Sequence, residues 1–161
     1  MKKQKGFSLI ELLIVVAIIL IIAAIAIPNL LRSRMAANEA SAVGSVRSIN
    51  TAQVTFASTY PSVGFASLLS DLTGSAATCA TTTGATSTNA CLLDAVLGSG
   101  TKSGYTFTVG GTTGTPIVTY TVNANPVVMG QTGQRSFFSD QSGVIRYNPA
   151  AAASVTDSPL Q

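Results

Sequence analysis

The chain has 161 residues, of which 47% are hydrophobic and 9% are charged, and it contains no histidine. A length of this order suits one domain, and the lack of histidine excludes a histidine-based catalytic triad. The formal charge of +3 comes from three lysines before Gly6, because the remaining basic and acidic side chains cancel. A basic face for nucleic acid is therefore not supported.

The chain opens with a basic leader, residues 1–6, which ends at Gly6 directly before a long apolar run. No residue between Leu12 and Leu31 is charged, and a run of this length can cross a bilayer as a helix. A secretory signal has its small-residue cleavage site after the apolar region, whereas Gly6 lies before it. Cleavage after Gly6 would remove the lysines and retain the apolar helix, with Phe7 as its first residue.

The segment from Gly6 to Ile18, together with Ala26-Ile27-Pro28-Asn29, resembles the type IV pilin family, which includes the pseudopilins of type II secretion. The resemblance covers about the first third of the chain. It implies cleavage after Gly6 by a prepilin peptidase, N-methylation of Phe7, and polymerisation through this helix into a helical homo-oligomer.

The same resemblance implies a location and partners. The precursor would be a single-pass protein of the inner membrane with a cytoplasmic N-terminus, in contact with membrane lipid and an assembly platform. After assembly the subunit would belong to an extracellular pilus or a periplasmic pseudopilus.

Glu11 and Pro28 interrupt the apolar character of this segment. A carboxylate is costly in a membrane helix and less so near its end. Glu11 therefore either lies at the headgroup level or, as the resemblance implies, pairs with the Phe7 amine of a neighbouring subunit. Pro28 removes a helical hydrogen bond, which predicts either the end or a kink of the membrane helix near Ile27, or a weak point that bends during assembly.

Residues 7–60 are predicted to form one long helix, with a transmembrane segment at 7–31 and an amphipathic second half. Pro61 marks its end, because the residue before a proline avoids the helical region. The apolar residues that recur at helical steps in the second half are Ala36, Ala40, Val43, Val46, Ile49, Ala52 and Phe56.

Residues 61–102 are predicted to be an irregular loop with short helices near 65–72 and 92–97. Cys79 and Cys91 lie in this loop. Without histidine a zinc site with these cysteines is not expected, and their spacing is not that of a redox motif. A disulfide is expected if the domain is exported; the alternative is two unpaired thiols.

Residues 103–147 are predicted to form an antiparallel sheet, with strands near 105–109, 118–122, 127–129, 135–138 and 144–147. One face of this sheet would pack on the amphipathic half of the helix, giving an α+β fold of the type IV pilin kind. The tail, 148–161, is expected to be loose. Asp140 has too few acidic neighbours for a calcium site, so no metal, cofactor or catalytic constellation is predicted.

The leading hypothesis is a structural subunit of a type IV pilus-like filament, not an enzyme. The alternative within the family is the major pseudopilin of a type II secretion pseudopilus. The alternative from another class is a signal-anchored periplasmic binding domain that never polymerises. Gly6, Phe7 and Glu11 argue against this last hypothesis, since a plain membrane anchor needs none of them.

Overall fold

The computed structural model describes residues 7–74, 79–80 and 84–160. The chain divides into two compact units, Met1–Arg34 and Met35–Gln161. The predicted α+β fold is confirmed, because a long helix, α1 (Leu9–Thr59), is followed by a five-stranded antiparallel sheet. Gly6 lies outside the described residues, so the structure says nothing of the predicted cleavage junction on its leader side.

Helix α1 runs without interruption through Pro28 and stops just before Tyr60 and Pro61. The alternative in which the helix ends at Ile27 is therefore wrong. Its C-terminal limit agrees with the proline signal, and the Tyr60 N–H still donates to the Phe56 carbonyl at 2.8 Å. The helix ends where the chain must turn to reach the sheet.

The buried face of the second half of α1 differs from the prediction at its beginning. Ala36 and Ala40 are exposed, whereas Glu39 and Ala42 are buried. Periodicity alone favoured alanine over glutamate as the inner residue, but Glu39 has partners across the domain that offset its burial. The buried residues of the remaining stripe are Val43, Val46, Ile49, Ala52 and Phe56.

The connection after α1 contains a 3₁₀-helix, η1 (Leu69–Leu72), and a single helical turn, α2 (Ala95–Gly98). Both are shorter than the predicted segments. The Asp94 side chain caps α2 by accepting the Leu97 N–H at 2.8 Å. This hydrogen bond is the main cause that lowers the pKa of Asp94, and Lys102 adds to it.

The sheet follows chain order: β1 (Thr101–Lys102), β2 (Tyr105–Thr113), β3 (Thr119–Pro126), β4 (Ser136–Asp140) and β5 (Arg146–Asn148). The predicted pairing of the last two strands is confirmed, with Phe137 opposite Tyr147. The predicted strand at 127–129 is wrong. Those residues follow β3 in a tight loop, in which the Gly130 N–H donates to the Gly133 carbonyl at 2.8 Å.

The core of the second unit lies between α1, the connection and the inner face of the sheet. Tyr120 illustrates the packing, because its hydroxyl donates to Asn50 Oδ1 on α1 at 3.3 Å. Burial of this phenol raises the pKa of Tyr120 to about 12. The largest fully buried apolar and aromatic side chains are Phe56, Ile49, Leu72, Leu97, Tyr105, Tyr120 and Phe137.

The C-terminal tail is not loose, contrary to the prediction. The Leu160 N–H donates to the Ile145 carbonyl at 2.7 Å, and the Tyr147 N–H donates to the Ser158 carbonyl at 3.1 Å. Asp157 accepts the Ser154 N–H at 2.7 Å and the Asn148 side-chain amide at 3.0 Å. These hydrogen bonds, led by that from the Ser154 backbone, lower the pKa of Asp157. The tail therefore lies along β5.

Candidate functional site

Glu11 caps the N-terminus of α1. The backbone N–H of Ser8 donates to Glu11 Oε2 at 2.9 Å, and the Ser8 carbonyl accepts the Leu12 N–H at 3.2 Å. This is one half of a capping box, in which the third helical residue satisfies the N-cap N–H. The Ser8-x-x-Glu11 spacing is the sequence signal of this motif. The carboxylate thus turns back toward Phe7, at the helix end where negative charge is favourable.

The first unit exposes a continuous apolar surface. Among the residues that the structure describes, α1 is the one helix long and apolar enough to cross a membrane. Its large hydrophobic side chains from Leu9 to Leu31 are between 44% and 75% exposed. No residue from 7 to 34 is buried. A helix that is apolar on every side needs lipid or protein around it, so this surface requires a partner outside its own chain.

Pro28 lies near the C-terminal end of this apolar surface. It has no backbone N–H, so the Ala24 carbonyl lacks its usual helical donor. The next turn is reinforced, because Ser33 Oγ donates to the Asn29 carbonyl at 3.0 Å. Helix α1 thus stays helical at Pro28 but lacks one of its backbone hydrogen bonds there.

Glu39 anchors the second half of α1 to the sheet. Its Oε1 accepts the backbone N–H of Gln134 at 2.8 Å and of Arg135 at 3.2 Å, while its Oε2 accepts Arg135 Nε at 2.8 Å. The Arg135 guanidinium also lies 5.7 Å from the Phe137 ring centroid and 5.5 Å from that of Tyr147. Glu39 is 8% exposed, and both of its carboxylate oxygens therefore accept hydrogen bonds inside the domain. The segment between β3 and β4 is thereby fixed to the helix.

Sequence reasoning did not identify Glu39. The one local signal was its position, since Glu39 lies three to four residues before the buried pair Ala42 and Val43. Its partners Gln134 and Arg135 are far away in sequence, and no periodicity in α1 points to them. The anchor is thus a tertiary feature.

The exposed face of the second half of α1 is rich in hydroxyl groups that bond within the helix. Each donates to the carbonyl four residues earlier at 2.9–3.1 Å. This back-bonding satisfies the hydroxyl donors locally. What the face presents outward is small side chains with few charges. The hydroxyl residues are Ser48, Thr51, Thr55, Ser58 and Thr59.

Cys79 and Cys91 are joined by a disulfide. Gly74 lies against this bond so closely that a Cβ added there would collide with both sulfur atoms. The disulfide ties residue 79 to the segment that runs along η1, where the Leu92 N–H donates to the Leu72 carbonyl at 2.9 Å. The expectation of a bonded pair is thus supported.

Asp140 serves a turn. Its Oδ1 accepts the Ser142 N–H at 2.9 Å, two residues ahead in the β4–β5 connection. Within 7–74, 79–80 and 84–160 there is no group of three or more histidine, cysteine, aspartate or glutamate residues that could hold a metal ion.

The chain is similar to known proteins over short stretches of its sequence. Residues 1–27 match the model of the prokaryotic N-terminal methylation motif. The chain is 64% identical over 39 residues, 24% of its length, to the type IV wide pilus major component PilA4 of Thermus thermophilus. It is 46% identical over 54 residues, 34% of its length, to the type IV major pilin protein PilA of Myxococcus xanthus.

These matches span 30% of the Thermus protein and 24% of the Myxococcus protein, so less than a third of either relative is covered. No solved structure is significantly similar to the chain.

Proposed function

We propose that this chain, which carries the N-terminal motif and the α+β arrangement of the type IV pilin family, is a structural subunit of a type IV pilus-like filament. The observation that carries the proposal is the exposure of the apolar half of α1, in which no residue from 7 to 34 is buried. Both named relatives are pilus components. This favours a pilus over the secretion pseudopilus, and a structural role over an enzymatic one.

The proposed life of the subunit begins in the inner membrane. Residues 1–6 stay on the cytoplasmic side, because basic flanks favour that orientation, and the apolar half of α1 spans the lipid. A prepilin peptidase cleaves after Gly6 and the new Phe7 amine is methylated. An assembly platform then moves the subunit from lipid into a filament whose interior is built from copies of α1.

Glu11 is proposed to direct this transfer. Once the chain begins at Phe7, a cationic amine lies next to the helix end toward which the Glu11 carboxylate already turns. Two such charges in an apolar filament interior are each costly, and pairing offsets part of that cost. An amine on one subunit meets the carboxylate of another if the helices are staggered along the filament axis.

Pro28 and the second half of α1 are proposed to make packing possible. The hydrogen bond missing at Pro28 lowers the resistance of the helix to bending or melting there. The back-bonded hydroxyl face offers small side chains that neighbouring helices can approach closely, as small residues do between membrane helices. The Cys79–Cys91 disulfide fits an exported domain.

The test is to purify the protein from membranes and from sheared surface filaments and to measure intact mass. We expect a chain that starts at Phe7 and carries one methyl group, together with filaments visible by electron microscopy. The control is Gly6→Val, which should retain the leader and yield no filaments. Wild-type protein that keeps residues 1–6, or that never forms filaments when correctly processed, would refute the proposal.

A further inference from the structure

Arg47 has no side-chain partner among the residues that the structure describes, unlike the other basic residues of the second unit. It lies on the second half of α1 and is exposed. Each of the others bonds to an acidic residue of the same chain at 2.8–3.2 Å, and the pairs are Lys102 with Asp94, Arg135 with Glu39, and Arg146 with the Asp157 carbonyl. Arg47 is therefore the cation of this unit best suited to a partner outside the chain.

Two grooves meet at the Arg47 side chain. The first, with a volume of about 360 Å³, lies between α1 and the connection that follows it. The second, with a volume of about 420 Å³, lies between α1 and the C-terminal tail. The second groove also contains the carboxylate of Glu39, which is already paired with Arg135. The apolar residues that line the two grooves are Ala52, Leu92, Leu93, Ala40, Val43 and Leu160.

A surface that covers these grooves must bring an acidic group to Arg47. The apolar walls favour a covered state, because covering them removes apolar area from water. The same covering takes the Arg47 guanidinium out of water, and a buried charge is tolerated only when an opposite charge pairs with it. The grooves and Arg47 together therefore fit a protein segment that carries a carboxylate.

The turn between β4 and β5 presents such a carboxylate. Asp140 Oδ1 accepts the Ser142 N–H at 2.9 Å within the turn, and no cationic side chain pairs with Asp140 among the described residues. The residues that follow it, 141–143, are all exposed. Asp71 has no cationic partner there either, but it lies inside η1, whose first and last residues are buried. We name residues 140–143 the acidic turn.

We propose that the acidic turn of one copy docks at Arg47 of a second copy, with an ion pair between Asp140 and Arg47. The inference rests on the proposed filament, and it adds a contact between second units to the packing of helices. Because the turn and the grooves are different patches of one chain, a copy that donates its turn still has its own Arg47 for the next copy. Head-to-tail contacts of this kind propagate into open filaments when the rotation does not close a ring.

The test is a charge swap in the full chain. Arg47→Glu and Asp140→Lys each place like charges at the proposed contact, and the double variant restores opposite charges in reversed order. Arg47→Gln and Asp140→Asn remove one charge with little change of shape, and the asparagine oxygen can still accept the Ser142 N–H. The matched control combines Arg47→Glu with Asp71→Lys. Intact mass and circular dichroism in detergent establish processing and folding before filament yields are compared.

We expect each charge reversal to lower the filament yield by about ten-fold, because like charges at an interface are strongly unfavourable. The neutral variants should lose less, the Arg47→Glu/Asp140→Lys variant should recover most of the wild-type yield, and the control with Asp71→Lys should recover none.

Several results would overturn the inference and leave the proposed function intact. They are normal yields from the folded single variants, a folded double variant no better than its singles, and recovery by Asp71→Lys instead of Asp140→Lys. If the charge reversals prevent folding, the neutral variants decide, and normal yields from them would overturn the inference. Correctly processed wild-type protein that forms no filaments would refute the proposed function itself.

Discussion

Glu11 and Glu39 lie on the same helix in opposite surroundings. Glu11 is exposed and accepts the N–H of Ser8, within its own first turn. Glu39 is buried and accepts hydrogen bonds from the backbone of Gln134 and from both the backbone and the side chain of Arg135. Among the described residues, the partner of Glu11 lies within the first turn of α1, whereas the partners of Glu39 lie far along the chain.

The same contrast extends to the apolar residues around each carboxylate. Val43, Val46 and Phe56 follow Glu39 on a face that is buried by the sheet and the connection. Leu12, Ile14 and the apolar residues that follow Glu11 lie in a stretch of helix in which no residue is buried up to residue 34. The second half of α1 therefore contributes to the core of the second unit, whereas the side chains of the first half stay exposed.

The largest expected effect separates assembly from folding. Glu11→Ala should abolish most filament formation while leaving thermal unfolding of the second unit unchanged. An unpaired Phe7 amine in an apolar interior costs about 3–5 kcal/mol per subunit, as for a broken buried pair. The measurements are filament yield by shearing and microscopy, and circular dichroism of the full chain in detergent.

Glu11→Gln refines the same comparison. A glutamine oxygen can still accept the Ser8 N–H, but it carries no charge. We expect it to assemble as poorly as Glu11→Ala. Normal filaments from Glu11→Gln would mean that helix capping, and not charge pairing, is what Glu11 contributes.

The next effect concerns the apolar residues themselves. Phe56→Ala should lower the free energy of unfolding by about 3–5 kcal/mol, because it removes a large fully buried side chain. Ile18→Ala should leave that free energy unchanged, since Ile18 is 52% exposed. Denaturant titration of the full chain in detergent measures both, and equal losses would contradict the division of α1 into two roles.

A smaller loss of stability is expected for Glu39→Ala. The substitution leaves two backbone N–H groups and a guanidinium without their acceptor, and water can reach Arg135, whose side chain is 38% exposed. We expect a loss of about 2 kcal/mol. Glu39→Gln should lose less, because its carbonyl oxygen retains part of the network. The melting temperatures of the wild type and of both variants measure this ranking of stability. An Ala variant as stable as the wild type would show that the hydrogen bonds of Glu39 contribute nothing to stability.

The smallest effect is a pH dependence of the tail. The folded-state pKa of Asp157 is lowered by its hydrogen bonds from Ser154 and Asn148, so its contribution is present above the unfolded pKa of about 3.9. That contribution is lost as the pH falls through the lower folded pKa. The protection of the Ser154 amide against hydrogen exchange, relative to its intrinsic rate at each pH, should fall below that range in the wild type. In Asp157→Asn the exchange should lack this pH step, and an identical step in both would assign it to another group.

The parts that could be predicted from sequence are those governed by neighbouring residues. The extent of α1 follows from composition, period and Pro61, and the alternation of Tyr105 and Phe107 indicates a strand with one buried face. Glu39 could not be assigned in this way, because its burial depends on Gln134 and Arg135 far along the chain. The hydrogen bonds of the tail could not be predicted from sequence for the same reason. Its Ala-rich sequence carries no pattern, and what holds Leu160 is a carbonyl of Ile145.

Val127, Val128 and Met129 were mistaken for a strand because three apolar residues in a row fit a buried strand as well as an exposed loop. Only the hydrogen bonds of Thr132 and Gly133 distinguish the two. The Ser8-x-x-Glu11 cap is the opposite case, since it was readable from four consecutive residues.

The hydroxyl face of α1 has a mechanical consequence. Because the hydroxyls of Ser48, Thr51, Thr55 and Ser58 are already committed to carbonyls of their own helix, a helix lying against them meets mostly methyl and methylene groups. Contacts of this kind are non-directional, and they change little when one helix slides slightly along another. A bundle built from such faces can flex and stretch without breaking polar bonds, so a fibre of these subunits would bend by many small slips between helices.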